Sequence, residues 1–270
     1  MTRIARTLTA LVLSAKREVW RMHDHAGEAD KAFQRVRVPV LEAAEYSCEF
    51  CGLHSDKYQE VHHLDDNHAN NDPSNLACSC PLCHQVFHVG MAGMRDGGYI
   101  ISLPELTQAE LNQLCLVMWI VQRADTKNLS ADHALMVKNV QMRVQSLNSV
   151  LINRRANVKK RFCDLLESNG VSKDFTKRLS LDVINPSLIA NALMSLDAET
   201  YARREELLGS LRLLPRPERF ETQFQYWTED QNRRLPLNAW YRLLDDTQFS
   251  DIIMGTLATV EQIHNEGSAA

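Results

Sequence analysis

Two Cys-x-x-Cys pairs, Cys48/Cys51 and Cys80/Cys83, constrain what this chain can fold into more than any other feature. Each pair suits a tight knuckle that points both sulfurs inward, so four thiols can surround one zinc ion tetrahedrally. An ion held that way ties the intervening segment into a small module. Disulfides are not expected, because seven cysteines is an odd count and nothing marks the chain as secreted. Cys78, Cys115 and Cys163 read as buried thiols outside the cluster.

Between and just after the knuckles lie the residues a second metal site would need. His62 and His63 are adjacent, Asn75-Leu76 follows, and His84 and His88 come directly after the second knuckle. The i, i+4 spacing of His84 and His88 puts both imidazoles on one face of a helix, as a shared ion demands. His62, His84 and His88 are therefore candidate ligands, and His63 is a candidate general base. The competing reading is a set of histidines left in a domain that only holds shape. Asp65, Asp66 and Asp72 belong to a polar Asn/Asp-rich loop with no chemistry assigned to it.

The order of these elements resembles the HNH endonucleases. That resemblance covers roughly 45 residues and implies a ββα unit braced by a four-cysteine zinc. It assigns Cys48, Cys51, Cys80 and Cys83 to structural zinc, and His62, His84 and His88 to a catalytic ion, Mg²⁺ or Mn²⁺. It makes His63 the base that activates water, with Asn75 pinning the loop beneath. A metal in that position could polarise a phosphate and stabilise the leaving oxygen.

Charge argues against cutting DNA. From Cys48 to Ala92 there are six acidic residues and one basic residue, Lys57, a formal −5. Four thiolates around Zn²⁺ add −2. Affinity for a phosphate backbone comes mainly from Lys and Arg, so this module repels it unless basic residues elsewhere fold over the site.

The rest of the chain reads as mostly helical. With 270 residues, 44% hydrophobic content, 10 Gly and 8 Pro, it can build one or two compact domains of the α+β class. Net charge is −4, so no global attraction to nucleic acid or membrane is expected. No run of 18 apolar residues occurs, and no membrane span is expected. The amino terminus has a signal-like apolar stretch, but it is short and is followed by Lys16 and Arg17 without a small-x-small site; it predicts a strand at Leu11-Val12-Leu13. Three regions follow: 1–47, a strand/helix segment; 48–92, the zinc module; and 93–270, a helical region.

Downstream, Tyr99 to Leu103 predicts a strand, and Thr107 with Glu110 predicts a capping box opening an apolar helix. Ser130 or Asp132 opens a long helix with Leu135, Met136, Val140, Val144, Leu147 and Leu151 on its apolar face. Residues 123–180 carry twelve Lys/Arg against five Asp/Glu, densest at Arg154, Arg155, Lys159, Lys160 and Arg161. Such a cluster serves DNA, an acidic partner or lipid head groups, or is a solvated helix face. Helices are predicted from Pro186 to Leu196 and from Ala198 to Leu208. Phe220, Phe224, Tyr226 and Trp227 read as core, and Phe249 to Ile263 as an amphipathic helix.

A second resemblance is closer. Tyr46-Ser-Cys48-Glu-Phe-Cys51-Gly52, Leu64-Asp65 with Asn70-Asn71, Asn75-Leu76 leading into Cys80-x-x-Cys83, Leu103 through Asn112, and Leu211-Arg-Leu-Leu-Pro215 are similar to the IcmJ (DotN) family of type IVB secretion and conjugation systems. Together these cover most of residues 40–124 and part of 207–228; nothing after about residue 232 matches. The resemblance implies a cytoplasmic Zn²⁺ adaptor with an HNH-like core. It would dock on the C-terminal tail of the coupling ATPase at the inner membrane, beside other secretion components. The alternative is a metal-dependent HNH endonuclease acting on DNA, which the intact histidine set and the basic segment favour.

Overall fold

The computed structural model describes residues 8–16, 26–124, 126–127, 129–156, 158–168, 170–178 and 185–229. Within them the fold is α+β and mostly helical, with two small antiparallel sheets. The segment Phe249 to Ile263 lies outside the described residues.

Helix α1 (Ala26–Ala43) leads into the first knuckle, followed by strand β1 (Glu60–His63), a 3-10 turn (Pro73–Asn75) and strand β2 (Leu76–Ser79). The strands pair antiparallel with His62 opposite Ala77 and Val61 opposite Cys78. Helix α2 (Pro81–Phe87) starts on the second knuckle, where Cys80 is the N-cap and Pro81 supplies a preset first turn. Alternation along β1 splits its side chains. Val61 and Cys78 join Val40 and Leu41 of α1 in one small core, while His62 stacks on Phe87 of α2 at 3.9 Å between ring centroids.

Helix α3 (Val89–Met94) and strand β3 (Gly98–Ser102) come next, then α4 (Gln108–Arg123). The capping box forms as its sequence predicts: the Glu110 amide donates to Thr107 Oγ1, and the Thr107 amide donates to Glu110 Oε2 at 2.7 Å. Helices α5 (Ala131–Asn153), α6 (Val158–Ser168) and α7 (Lys173–Arg178) follow. Then come α8 (Pro186–Met194), α9 (Ala198–Ala202), α10 (Arg204–Leu208), strand β4 (Leu211–Pro215) and α11 (Glu221–Thr228). Strand β4 returns to β3 across more than a hundred residues, pairing Gly98 with Pro215 and Ser102 with Leu211.

Two larger cores follow from this arrangement. One joins the four knuckle cysteines and Leu82 to α4, α5 and the aromatic group Phe220, Phe224 and Trp227. The other joins Val86 and Val89 to Ile100, Phe162, Leu193 and Leu213. The zinc-ligand candidates therefore share a continuous core with the helices beyond residue 93.

Several expectations change here. Leu11-Val12-Leu13 form no strand; the chain instead lies along α2 and α3, with the Ser14 amide donating to Val86 O and Ser14 O accepting from Val89. Helix α5 turns Val137, Val144, Leu147 and Leu151 inward and leaves Leu135 60% exposed. The buried stripe runs at i, i+7, i+14 from Val137, which puts Leu135 on the far side. The stretch from Ala198 to Leu208 is two short helices, broken at Arg203. The basic cluster is partly spent inside the molecule: Arg154 binds Glu105 and Ser102 O, Arg161 donates to Ser102 Oγ, and Arg155 sits 4.8 Å over the Tyr99 ring. No helix among the described residues is long and apolar enough to cross a membrane.

Candidate metal centres

The four sulfurs of Cys48, Cys51, Cys80 and Cys83 all lie within 4.8 Å of one another, and all four residues are buried. The first knuckle closes through Gly52, whose amide donates to Cys48 O at 2.8 Å and whose φ of +79° is one that glycine adopts without strain. The second closes through the His84 amide on Cys80 O. Cys51 Sγ and Cys80 Sγ are 3.6 Å apart. In a tetrahedron with Zn–S bonds of about 2.3 Å, neighbouring sulfurs are about 3.8 Å apart, so the cluster has the dimensions a zinc ion requires.

The thiols compete for charge. Hydrogen bonds from Cys51, Cys80 and Cys83 hold the Cys48 thiol far below the ordinary range. Burial, with the bonds to its neighbours, drives Cys80 well above it, and the bonds to Cys48 and Cys51 do the same for Cys83. Cys48 can ionise easily while Cys80 and Cys83 resist, a conflict that a divalent cation among them would resolve.

Helix α4 braces this cluster from outside. Asn112, fully buried, donates from Nδ2 to Cys83 Sγ at 3.3 Å, and Gln113 donates from Nε2 to Cys51 O at 2.6 Å. Asn112 Oδ1 in turn accepts from Gln108 Nε2, and Gln108 also exchanges two bonds with the Leu213 backbone on β4. From the first knuckle, Glu49 accepts from the Cys78 amide. None of these was predicted from sequence. The available signal was polar Gln108 and Asn112 at i, i+4 in a helix apolar nearly all round, since buried amides need partners.

The structure also brings His62, His84 and His88 together, their candidate ligand atoms within 4.8 Å of one another. Nitrogens around one ion at about 2.1 Å lie about 3.4 Å apart, so small ring rotations suffice. Burial, reinforced by the charge of His84, pulls His62 down to about 2 and His88 down to about 3. Both are thus neutral at neutral pH, the form that binds metal. Glu60, two residues before His62 on the same face of β1, pairs through Oε2 with His84 Nδ1. A carboxylate on the far nitrogen of a ligating imidazole is the usual support of a metal-bound histidine.

His63 faces the opposite side of β1. Its Nε2 lies 3.1 Å from Asn71 Oδ1, and its ring is 5.4 Å from Phe33 and 4.7 Å from His68. Asn75 ties the loop as expected: its Oδ1 accepts from the Asp65 amide, and its Nδ2 donates to Asp65 Oδ1 and Asn70 O. Asp72 caps the 3-10 turn. Cys78 and Cys115 are buried and Cys163 is half-buried; none belongs to the cluster.

No protein-family model matches the chain. The Type 4 apparatus protein DotN of Legionella pneumophila is 29% identical over 219 residues, covering 80% of this chain and 88% of that protein. Over most of its length this chain is therefore similar to a DotN (IcmJ) protein. The match spans far more than the cysteine module, so the likeness extends over most of the described helices.

Proposed function

We propose that this chain is a member of the DotN (IcmJ) family and a Zn²⁺-holding adaptor of a type IVB secretion or conjugative transfer apparatus. It docks on the C-terminal tail of the coupling ATPase and sits at the cytoplasmic side of the inner membrane through that complex. The observation that carries the zinc role is the closed cysteine cluster: four buried sulfurs with α4 amides over them leave no open coordination position, the mark of a structural site. The likeness to a type 4 apparatus protein supports the cellular setting. In this reading residues 48–92 form an HNH-like ββα zinc module, residues 1–47 lead into it, and residues 93–270 supply helical surface for partners.

Co-purification with the cognate ATPase tail is the direct test. A stable complex that survives His63→Ala and is lost in Cys51→Ser supports the adaptor. No association at micromolar concentration removes its main support.

The histidine triad sustains a second reading, a metal-dependent nuclease with Mg²⁺ or Mn²⁺ on His62, His84 and His88; its base, His63, lies on the other face of β1 and would have to turn from Asn71 to reach water on that ion. Its support is the Glu60–His84 pair, which a histidine set without function has no need of. Metal-dependent plasmid nicking that disappears in His63→Ala would establish it over the adaptor alone. The nuclease reading requires a second divalent ion on the triad, separate from the cysteine zinc, and the adaptor is compatible with one.

A further inference from the structure

The triad opens on one side into a cavity of about 350 Å³. His84 and His88 form its metal side, and Glu60, Gln85, Arg95 and Arg219 line it. Arg95 ends α3 and Arg219 lies in the 3-10 turn Pro217–Phe220, 124 positions further along the chain. The return of β4 onto β3 carries that turn to the cavity, so the fold gathers two guanidinium groups at a module that is acidic in sequence. The one acid in the lining, Glu60, is held by His84.

An independent observation points to a ligand. Gln85 Nε2 is buried with no hydrogen-bond partner. A buried N–H₂ left without an acceptor is costly, so such a group calls for one. Gln85 itself lies in the lining of the same cavity as the two arginines and the two histidines, where a rotation of its side chain would turn this donor toward an anion.

We infer that this cavity binds a phosphate monoester or free phosphate, with one oxygen on the divalent ion of the triad and the others on Arg95, Arg219 and Gln85 Nε2. The inference rests on the second-metal reading above. Three histidines leave a coordination position open, which a phosphate oxygen can fill. Guanidinium forks match phosphate oxygens in pairs. A dianionic monoester offers three terminal oxygens for these donors, whereas a diester offers two. A polyanionic backbone would also meet the −5 of the surrounding module, which a single small anion avoids.

The test uses the full chain with zinc in the cysteine site. Co²⁺ is titrated in, and its d–d absorption reports the triad, with His84→Ala as the control that should lose it. Inorganic phosphate and phenyl phosphate are then added separately, which distinguishes a free anion from an organic monoester. The expected result is a spectral shift with either or both, at least about tenfold weaker in Arg95→Gln/Arg219→Gln while Co²⁺ stoichiometry is unchanged. Both arginines are exposed, so that variant keeps its fold. Co²⁺ binding with no phosphate effect, or an effect indifferent to the two arginines, overturns the phosphate site and leaves the second metal standing. Absence of triad-bound Co²⁺ overturns both. Displacement of phosphate by a short DNA duplex would overturn the small-anion assignment in favour of a nucleic-acid backbone.

Discussion

Asn112 shows how much of a metal centre is set by residues that never touch the ion. Its amide is shared between Cys83 Sγ and Gln108, and it has no access to solvent. A hydrogen bond to a thiolate lowers its charge density and fixes its direction, and loss of such partners typically costs about 10–100-fold in metal affinity. Asn112→Ala should weaken zinc binding by that order, read by competition with a chromophoric chelator; unchanged affinity would make the contact incidental. Cys115 offers a different single-residue test. Burial pushes its thiol up to about 12 from an ordinary 9.0. Above pH 9 the unfolded chain releases this proton and the folded chain keeps it, so stability falls as pH rises, by about 1.4 kcal/mol per unit until about pH 12. Cys115→Ala should be less stable than the parent at pH 8 yet lose less between pH 9 and 11, in urea melts at each pH; parallel losses would contradict the assignment. At this scale the cysteines and the His84/His88 pair were legible because spacing alone brings them together. Asn112, Gln113 and Glu60 were not, because their partners come from other elements or, for Glu60, from a helix beyond the hairpin.

Among the elements, local signals succeeded where local physics decides. The Thr107/Glu110 box opens α4 at the predicted residue, and Asn185 with Pro186 opens α8 in the same way, the Asn185 side chain accepting from the Ser187 amide. They failed where tertiary packing decides. Helix α5 chose the Val137 stripe over the Leu135 face because only one side meets α4, and periodicity within one helix cannot say which side that is. Strand β4 is five residues that a sequence reading leaves unpaired, since its partner β3 lies more than a hundred positions earlier. That pairing depends on close backbone approach at Gly98, where an added Cβ would lie 2.5 Å from Leu214 O. Backbone cannot yield as a flexible side chain does. Gly98→Ala should therefore cost about 1–3 kcal/mol, measured by urea unfolding, with hydrogen exchange speeding first in β3 and β4. A neutral substitution would mean that the two strands separate more readily than their packing implies.

At the scale of the whole molecule, the cysteine cluster is a keystone of one large core. Its sulfurs pack with α4, α5, Phe220, Phe224 and Trp227, and Trp227 Nε1 donates to Ser55 Oγ within the first knuckle's loop at 3.1 Å. Sequence showed the knuckles and the aromatic group separately; their contact required the chain to return through β4. Structural zinc contributes about 10–16 kcal/mol of binding free energy in small modules, comparable with the net stability of a whole domain, about 5–15 kcal/mol. Chelation should therefore unfold more than the residues between the knuckles. The expected outcome of stripping zinc with a strong chelator is one cooperative transition at much lower temperature. Helical circular dichroism and Trp fluorescence should be lost together, because Trp119 and Trp227 lie in the same cluster as the cysteines. Since thiolates are the ligands, the chelator concentration needed should fall as pH falls, protons competing with the metal for sulfur. Two separated transitions, with the helical signal surviving the first, would instead describe a zinc module that folds apart from its helices, and the shared core would not be what holds this protein together.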